Sequence, residues 1–193
     1  MFSSSITLYQ HGNLGGQSLE LSADDPDLTN NPGSTNNGNW NDQASSLRVT
    51  GPCQWILYEH TDYVGLLSVV GPGTRDYEAG SGTNGFGLSH DILSSLRCLP
   101  AYNTENMVLF QYDHYRGQDL VLSSSTSDLT NDGFNDDVSS LIITGGTWQL
   151  YSGANYQGSS VRLEQGHYPT ASFIYPIADD DLSSVRFVGK SLQ

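Results

Sequence analysis

The sequence has very few basic residues. Its 193 residues include 7 Lys and Arg against 21 Asp and Glu, which gives a formal net charge of −14, and Lys190 is its single lysine. Nucleic acids and anionic membranes are bound through clusters of Lys and Arg, so the charge argues against both as partners. The charge is consistent instead with a cation as partner, or simply with a very soluble surface.

Long hydrophobic runs and cysteines are scarce as well. No apolar stretch approaches the roughly 18–20 residues of a membrane-spanning helix. The first residues also lack the basic and apolar regions of a signal peptide, so we expect a cytoplasmic protein or the mature form of a secreted one. Two cysteines, Cys53 and Cys98, are too few for a disulfide framework, and the sequence leaves open whether they pair.

Residues that favour turns are abundant. Ser, Gly, Asp and Asn together make up 76 of the 193 residues, whereas Glu and Lys, which fill helix surfaces, number only 5 and 1. Short polar side chains bond to nearby backbone, and Gly and Asn tolerate positive φ. Because 36% of the residues are hydrophobic, the chain can still bury a core. This composition disfavours both a mainly helical protein and a disordered one.

One short string occurs four times along the chain. Each copy has two positions occupied mostly by Asn or Asp, two variable residues, a Ser-Ser pair and an apolar residue. The copies begin 49, 45 and 44 residues apart, a nearly constant spacing that indicates an internal repeat. The four copies are residues 41–47, 90–96, 135–141 and 179–185.

A second string precedes each copy and predicts a β-hairpin. An aromatic residue at the end of an alternating strand pattern is followed five residues later by a bulky residue and seven later by Gly. The Gly permits the chain to fold back with positive φ, and the two bulky side chains are expected to stack across the bend. Each repeat therefore holds about four short strands, as in a Greek key. The four sets are Tyr9/Leu14/Gly16, Tyr58/Tyr63/Gly65, Phe110/Tyr115/Gly117 and Tyr151/Tyr156/Gly158.

The repeats alternate in character, which predicts two paired domains. Repeats 1 and 3 share the string Asp-Leu-Thr-Asn, at residues 27–30 and 128–131. Repeats 2 and 4 instead have a Gly followed closely by a Tyr before the motif, at Gly73 and Tyr77 and at Gly166 and Tyr168. We predict domains at residues 2–99 and 105–190 with a linker at 100–104. A four-bladed propeller also has four strands per repeat, but its blades would be equivalent rather than alternating.

The recurring Asp and Ser of the first string have two explanations. In a single copy, Asn or Asp would cap a turn and Ser would begin the next strand. A turn would also tolerate Asn, Thr or Gly, however, and all four copies keep Asp at the second position and Ser at the fifth. Calcium binds 6–8 oxygen ligands from carboxylates, hydroxyls, carbonyls and water, so two such loops would have to cooperate at each site.

These two strings together resemble those of the calcium-binding βγ-crystallins of microbes and invertebrates, and the resemblance covers nearly the whole chain. It implies an all-β protein of two domains, each a sandwich of two Greek-key motifs built from a pair of four-stranded sheets. It also implies two Ca²⁺ per domain, up to four in all, held between paired loops. The implied side-chain ligands are Asp42 with Ser45, Asp91 with Ser94, Asp136 with Ser139, and Asp180 with Ser183. The implied carbonyl ligands are Gln43, Ile92, Asp137 and Asp181, together with Gln10, Glu59, Gln111 and Ser152.

One residue departs from this pattern. His90 stands at the first position of the second copy, where the resemblance implies Asn or Asp. This position supports the loop more than it binds the ion, so we expect a weakened or pH-sensitive site in the first domain. A solvent-facing histidine without any such role is an equal alternative.

The leading hypothesis for function is a calcium-binding module without enzymatic activity. Alternatives are a lens-like structural protein with little calcium dependence, and a calcium-ordered module that recognises a protein or glycan through residues 31–39. Self-association also stays open. Residues 128–139 imitate an EF-hand loop but end in Ser rather than Glu, and no nucleophile–base set or transition-metal cluster is evident.

Overall fold

The computed structural model describes residues 4–33, 38–79 and 91–190, and these form an all-β protein. Five short 3₁₀ turns are the only helical segments in this part of the chain. Every strand predicted from the alternating patterns is present, and most are longer than the pattern that predicted them. The strands are β1 (Ser5–His11), β2 (Gly15–Leu21), β3 (Ser46–Thr50), β4 (Cys53–His60), β5 (Val64–Val70), β6 (Arg75–Glu78), β7 (Ser95–Ala101), β8 (Met107–Tyr112), β9 (Arg116–Leu122), β10 (Ser140–Gly153), β11 (Gln157–Tyr168) and β12 (Ser184–Gly189).

The chain divides into two compact units between Tyr102 and Asn103. Unit 1 comprises Met1–Tyr102 and unit 2 comprises Asn103–Gln193. Each unit has its own cluster of buried apolar side chains, which includes Trp55 in unit 1 and Trp148 in unit 2. Both tryptophans are completely buried.

Unit 1 contains two antiparallel sheets whose strands are exchanged between its two repeats. The first sheet has the order β2-β1-β3-β6 and the second the order β5-β4-β7. Strand β6 follows β4 and β5 in the chain but pairs with β3, so it closes the sheet of the preceding repeat. This return to a neighbouring sheet is the Greek-key connection, and it excludes the propeller alternative, in which each repeat keeps its own blade.

Unit 2 repeats this arrangement with longer strands. The first half of β10 pairs with β8 and the end of β11, whereas its second half pairs with the start of β11 and with β12. Its register shifts between Ile143 and Thr147, where Gly146 has a φ of +79°. Strand β10 thus corresponds to β3 and β4 of unit 1 joined in one strand, and β11 corresponds to β5 and β6.

The second sheet of each unit is smaller than expected. The resemblance implied four strands, but the fourth is reduced to a single bridge in the residues that the structure describes: Asp25 to Leu96 in unit 1 and Thr126 to Val185 in unit 2. A further backbone hydrogen bond lies about three residues after each bridge. The N–H of Leu28 donates to the carbonyl of Ser94, and the N–H of Leu129 donates to the carbonyl of Ser183. These contacts tie the segment before each 3₁₀ turn to the start of a strand in the other repeat.

The predicted contact across the hairpin bend is confirmed in the three hairpins where both bulky residues are aromatic, with the two rings tilted by 57–60°. The ring centroids of Tyr58 and Tyr63 lie 5.6 Å apart, and the corresponding distances in unit 2 are 5.4 and 5.7 Å. The four hairpin glycines all have positive φ, as predicted. In each hairpin the bulky residue and the residue before it also have a left-handed backbone conformation. The left-handed pairs are Asn13–Leu14, Asp62–Tyr63, His114–Tyr115 and Asn155–Tyr156.

A buried hydroxyl fastens each hairpin to the following strand. Ser184 is completely buried, and its Oγ donates to the carbonyl of Gly153 at 2.7 Å and accepts from the N–H of Tyr156 at 3.1 Å. The second Ser of the other three motifs makes the same pair of hydrogen bonds. The hydroxyl satisfies two backbone groups that the bend cannot satisfy itself. The four residues are Ser46, Ser95, Ser140 and Ser184.

We predict that Ser184→Ala lowers the free energy of unfolding of unit 2 by about 2–4 kcal/mol, because two hydrogen bonds are lost and their backbone partners are left unsatisfied. Urea unfolding measures the effect. The exposed Ser124→Ala serves as a control and should change the free energy by less than about 0.5 kcal/mol. A Ser184 variant as stable as the control would contradict the proposed role of this hydroxyl.

Candidate functional site

The four motif loops share one backbone conformation. The Asp at the second position is left-handed in every copy, with φ values of 55°, 57°, 54° and 54° at Asp42, Asp91, Asp136 and Asp180. Asn, Asp and Gly are the residues that adopt this conformation most readily. The backbone therefore explains why a short polar residue stands here, but Asn would serve equally well and the conformation does not require a carboxylate.

The two loops of unit 1 meet through their side chains. The Ser45 hydroxyl donates to Asp91 Oδ1 at 2.9 Å, and the Ser94 hydroxyl donates to Asp42 Oδ1 at 3.1 Å. The backbone joins the loops as well, since the N–H of Asp42 donates to the carbonyl of Leu93 at 3.0 Å. Each carboxylate thus contacts the hydroxyl of the other repeat.

Unit 2 shows the same reciprocal pairing. The Ser139 hydroxyl donates to Asp180 Oδ1 and the Ser183 hydroxyl to Asp136 Oδ1, both at 3.2 Å. The N–H of Asp136 again bonds to the opposite loop, at the carbonyl of Leu182. The resemblance gave the ligands motif by motif, whereas the structure combines the Asp of one motif with the Ser of its partner. Each unit therefore has two Asp–Ser pairs, and neither pair can form from a single repeat.

Backbone hydrogen bonds bring the hairpins to these loops. The N–H of each fifth-position Ser donates to the carbonyl of the hairpin aromatic, for example from Ser45 to Tyr9 at 3.0 Å. The next residue of each hairpin, which the resemblance assigned as a carbonyl ligand, is thereby held beside the loop. At Ser152 its carbonyl directly accepts from the Ser183 hydroxyl at 3.2 Å, so three of the predicted oxygens converge there. The other three hairpin positions are Gln10, Glu59 and Gln111.

The remaining carbonyl positions lie in the same loops. Ile92 lines a shallow groove together with Glu59, Asp42, Asp91 and Ser94. The side chains of Gln43 and Asp137 also make local contacts: Gln43 donates to the carbonyl of Asp42, and Asp137 accepts from Gln111. Asp181 follows Asp180 directly in the fourth loop.

The first motif position supports the loop, as expected. Asn41 Nδ2 donates to the far oxygen of the adjacent Asp42 at 2.8 Å, and Asn135 does the same to Asp136 at 2.7 Å. The amide thus orients the carboxylate while leaving Oδ1 to the opposite Ser. The fourth copy has Asp179 at this position and lacks such an amide. His90 of the second copy lies outside the described residues, as does part of the 31–39 loop.

Negative charge is concentrated most strongly in the fourth loop. Desolvation, followed by the neighbouring carboxylates of Asp179, Asp137 and Asp136, raises the pKa of Asp180 above its ordinary value, although the Ser139 hydroxyl acts in the opposite direction. Ionised Asp180 therefore destabilises the fold in the absence of a counter-ion. A cation at this position would relieve that repulsion.

The EF-hand imitation at residues 128–139 is a different structure. Asp128 caps the 3₁₀ turn Leu129–Asp132 by accepting from the N–H of Thr130 at 2.9 Å. Hydrogen bonds from the side chain and backbone of Thr130 lower the pKa of Asp128. Asp27 caps the matching turn in unit 1, which explains the repeated Asp-Leu-Thr-Asn string as a structural element.

The part of the chain that the structure describes contains no group of three or more His, Cys, Asp and Glu side chains arranged to hold a metal ion. The donor set formed by the loops is of another kind, because it combines single carboxylates with hydroxyl and carbonyl oxygens. None of the described helices has the length and apolar character needed to cross a membrane.

Comparisons with known proteins agree with this architecture. The sequence matches the family described as Beta/Gamma crystallin over residues 5–99 and 106–188. It is 31% identical to gamma-crystallin D of Homo sapiens over 163 residues, covering 84% of this chain and 85% of that protein. It is 40% identical to a beta/gamma-crystallin of Ciona intestinalis over 80 residues, covering 42% of this chain and 94% of that protein.

A solved structure shows the same fold over almost the entire chain. Geodin, a beta-gamma crystallin from Geodia cydonium, superimposes with a TM-score of 0.70 and 22% identity, covering 96% of this chain and 99% of that one. Proteins of this family have structural and binding roles and are not enzymes, in agreement with the prediction from sequence. The repeated strings, the exchanged sheets and the match over both units together establish that this chain belongs to the beta/gamma-crystallin family.

Proposed function

We propose that this protein is a calcium-binding βγ-crystallin that binds two Ca²⁺ per unit between its paired loops and is stabilised by them. The observation that carries the proposal is the fourfold pairing of an Asp carboxylate with a Ser hydroxyl from the opposite loop, at 2.9–3.2 Å. Ionised Asp accepts hydrogen bonds and Ser can rotate its proton away, so both can turn an oxygen to the same cation.

The donor set suits calcium. Each proposed site combines one carboxylate and one hydroxyl with the carbonyl that follows the Asp and the carbonyl of the adjacent hairpin, and water would complete the 6–8 oxygen ligands. Ligands that share an ion at about 2.4 Å lie roughly 3 Å apart, which is close to the observed Asp–Ser separations. The sites would be Asp42/Ser94/Gln43/Glu59, Asp91/Ser45/Ile92/Gln10, Asp136/Ser183/Asp137/Ser152 and Asp180/Ser139/Asp181/Gln111.

Calcium would act by linkage between binding and folding. An ion that binds only the folded state stabilises it by about 2.7 kcal/mol per site at a hundredfold excess over its dissociation constant. Both loops of a unit must be folded together for either site to form, so binding would stabilise the contact between the two repeats. Four divalent ions would also neutralise 8 of the 14 net negative charges.

A structural role without calcium is the second candidate. The left-handed φ of the four motif Asp residues favours it, because that conformation alone explains a short polar side chain. In that case the Asp and Ser residues would serve only to join the two loops of a unit through these hydrogen bonds. The similarity to gamma-crystallin D extends across both units and is equally compatible with this role.

We predict that calorimetric titration of the full chain with CaCl₂ detects about four ions, and that Asp136→Asn/Asp180→Asn reduces this number to about two. Asn keeps the left-handed conformation but removes the anionic ligands of unit 2. Asp119→Asn/Glu164→Gln removes the same charge from strand residues that supply none of the proposed ligands and should leave the stoichiometry unchanged.

The titration also distinguishes the two candidates. If wild-type protein shows no heat of calcium binding and no change of melting temperature with chelator, the calcium proposal is wrong and the structural role is favoured. An equal loss of binding in the Asp119/Glu164 control would show that total charge, rather than the loops, attracts the ion.

The repulsion around Asp180 yields a separate prediction, measured by urea unfolding of unit 2. Because the folded-state pKa of Asp180 is raised, its ionised form destabilises the fold above that pKa, and stability is regained as the pH falls through it. In chelator at neutral pH, Asp180→Asn should therefore be more stable than wild type, and the difference should shrink as the pH falls through the raised pKa of Asp180. In excess calcium the order should reverse. Glu164→Gln should show neither the gain nor the reversal.

A further inference from the structure

We propose that Cys53 and Cys98 form a reversible disulfide that joins β4 to β7 within unit 1. They are the only cysteines of the chain, and both are half-buried free thiols here. The Cys98 thiol donates to the carbonyl of Leu99 at 3.6 Å, and Cys53 lies near enough to contribute, after burial, to the raised pKa of Cys98. Neither residue belongs to the proposed calcium sites.

The strand register places the two thiols on one face of the sheet. Trp55 stands directly opposite Cys98, and Cys53 lies two residues before Trp55 on the same side of β4. The register shifts between Cys53 and Trp55, so Cys53 pairs formally with Ala101. Its side chain is therefore a diagonal neighbour of Cys98 across two hydrogen-bonded strands.

The corresponding positions of unit 2 also lie close together. Trp148 pairs with Phe187 as Trp55 pairs with Cys98, so Gly146 and Phe187 are the counterparts of Cys53 and Cys98. The Phe187 ring packs against the backbone of Gly146, where an added Cβ would lie only 2.5 Å from it. Gly146 has a φ of +79°, which Cys53 does not share, so the comparison shows a close approach of the two strands and not the direction of the Cys53 side chain.

The chemistry requires an external oxidant, for which we name a small-molecule disulfide such as oxidised glutathione. The Cys53 thiolate attacks one sulfur of that disulfide, which forms a mixed disulfide and releases one glutathione thiolate. Cys98 then loses its proton to solvent and attacks Cys53 Sγ, which releases the second glutathione. The protein loses two hydrogen atoms, and the glutathione disulfide is reduced to two thiols.

The environment of the thiols predicts that the disulfide forms slowly and that it closes within one chain. Burial, and then the neighbouring Cys53, raise the pKa of Cys98 to about 12, so Cys98 is a poor first nucleophile and suits the resolving role. Once Cys53 carries the mixed disulfide, Cys98 is already beside it. The closed loop would contain the whole second repeat, from β4 to β7, including Asp91 and Ser94.

A disulfide here should stabilise unit 1 alone. It limits the unfolded chain between residues 53 and 98, and unit 2 contains no cysteine, so unit 2 provides an internal control. We expect incubation of the full chain with a glutathione redox buffer to remove both free thiols and to lower the intact mass by two hydrogen atoms. Hydrogen-exchange mass spectrometry should then show slower exchange in β4 to β7 and unchanged exchange in β8 to β12.

Two variants complete the test. Cys53→Ser and Cys98→Ser should show no protection by oxidant, and Cys98→Ser should accumulate a stable mixed disulfide at Cys53. The outcomes that overturn the proposal are two thiols that stay free after prolonged incubation, glutathione on both cysteines, or an intermolecular dimer in place of the internal bond. Because oxidised and reduced wild-type protein are compared directly, the result does not depend on how well a variant folds.

Discussion

The fold depends on one buried hydroxyl in each repeat. The second Ser of the motif reaches back to the preceding hairpin, accepts from one backbone N–H and donates to one carbonyl. The tight bend leaves those two groups without partners, and a completely buried position such as that of Ser184 has no water to supply them. The hydroxyl therefore determines where the hairpin folds over the sheet. It also fixes the position of the preceding residues, which form the loop.

The adjacent Ser reaches the partner loop. Ser183 stands directly before β12, and its hydroxyl contacts both Asp136 of the partner loop and the carbonyl of Ser152 in its own hairpin. The contact with the Asp of the partner loop recurs in all four motifs. One Ser of each pair is thus needed for folding and the other is available for binding. This division explains why a pair of serines, rather than a single one, recurs in all four copies.

Much of this could be predicted from the sequence because the repeats are nearly identical in pattern. The strands, the contacts across the hairpins and the pairing of repeats into two domains follow from alternation, from Gly at a fixed offset and from the A-B-A-B order. The crossed pairing of Asp42 with Ser94 could not be predicted, since it depends on how two repeats pack and each repeat taken alone suggests Asp42 with Ser45. The role of Ser46 was also missed, because a serine at a strand start has an adequate local explanation.

Strands β10 and β11 run through both halves of unit 2 and join them in one five-stranded sheet, whereas unit 1 divides the same path among four shorter strands in two sheets. A continuous strand has no loop at which one sheet could open while the other stays closed. Fluctuations that break the pairing of β10 with β8 are therefore transmitted along the backbone to its pairing with β12. The two Greek keys of unit 2 should accordingly exchange their amide protons as one cooperative element, while those of unit 1, separated by Gly51 and Pro52 and by the turn before β6, retain the freedom to open separately.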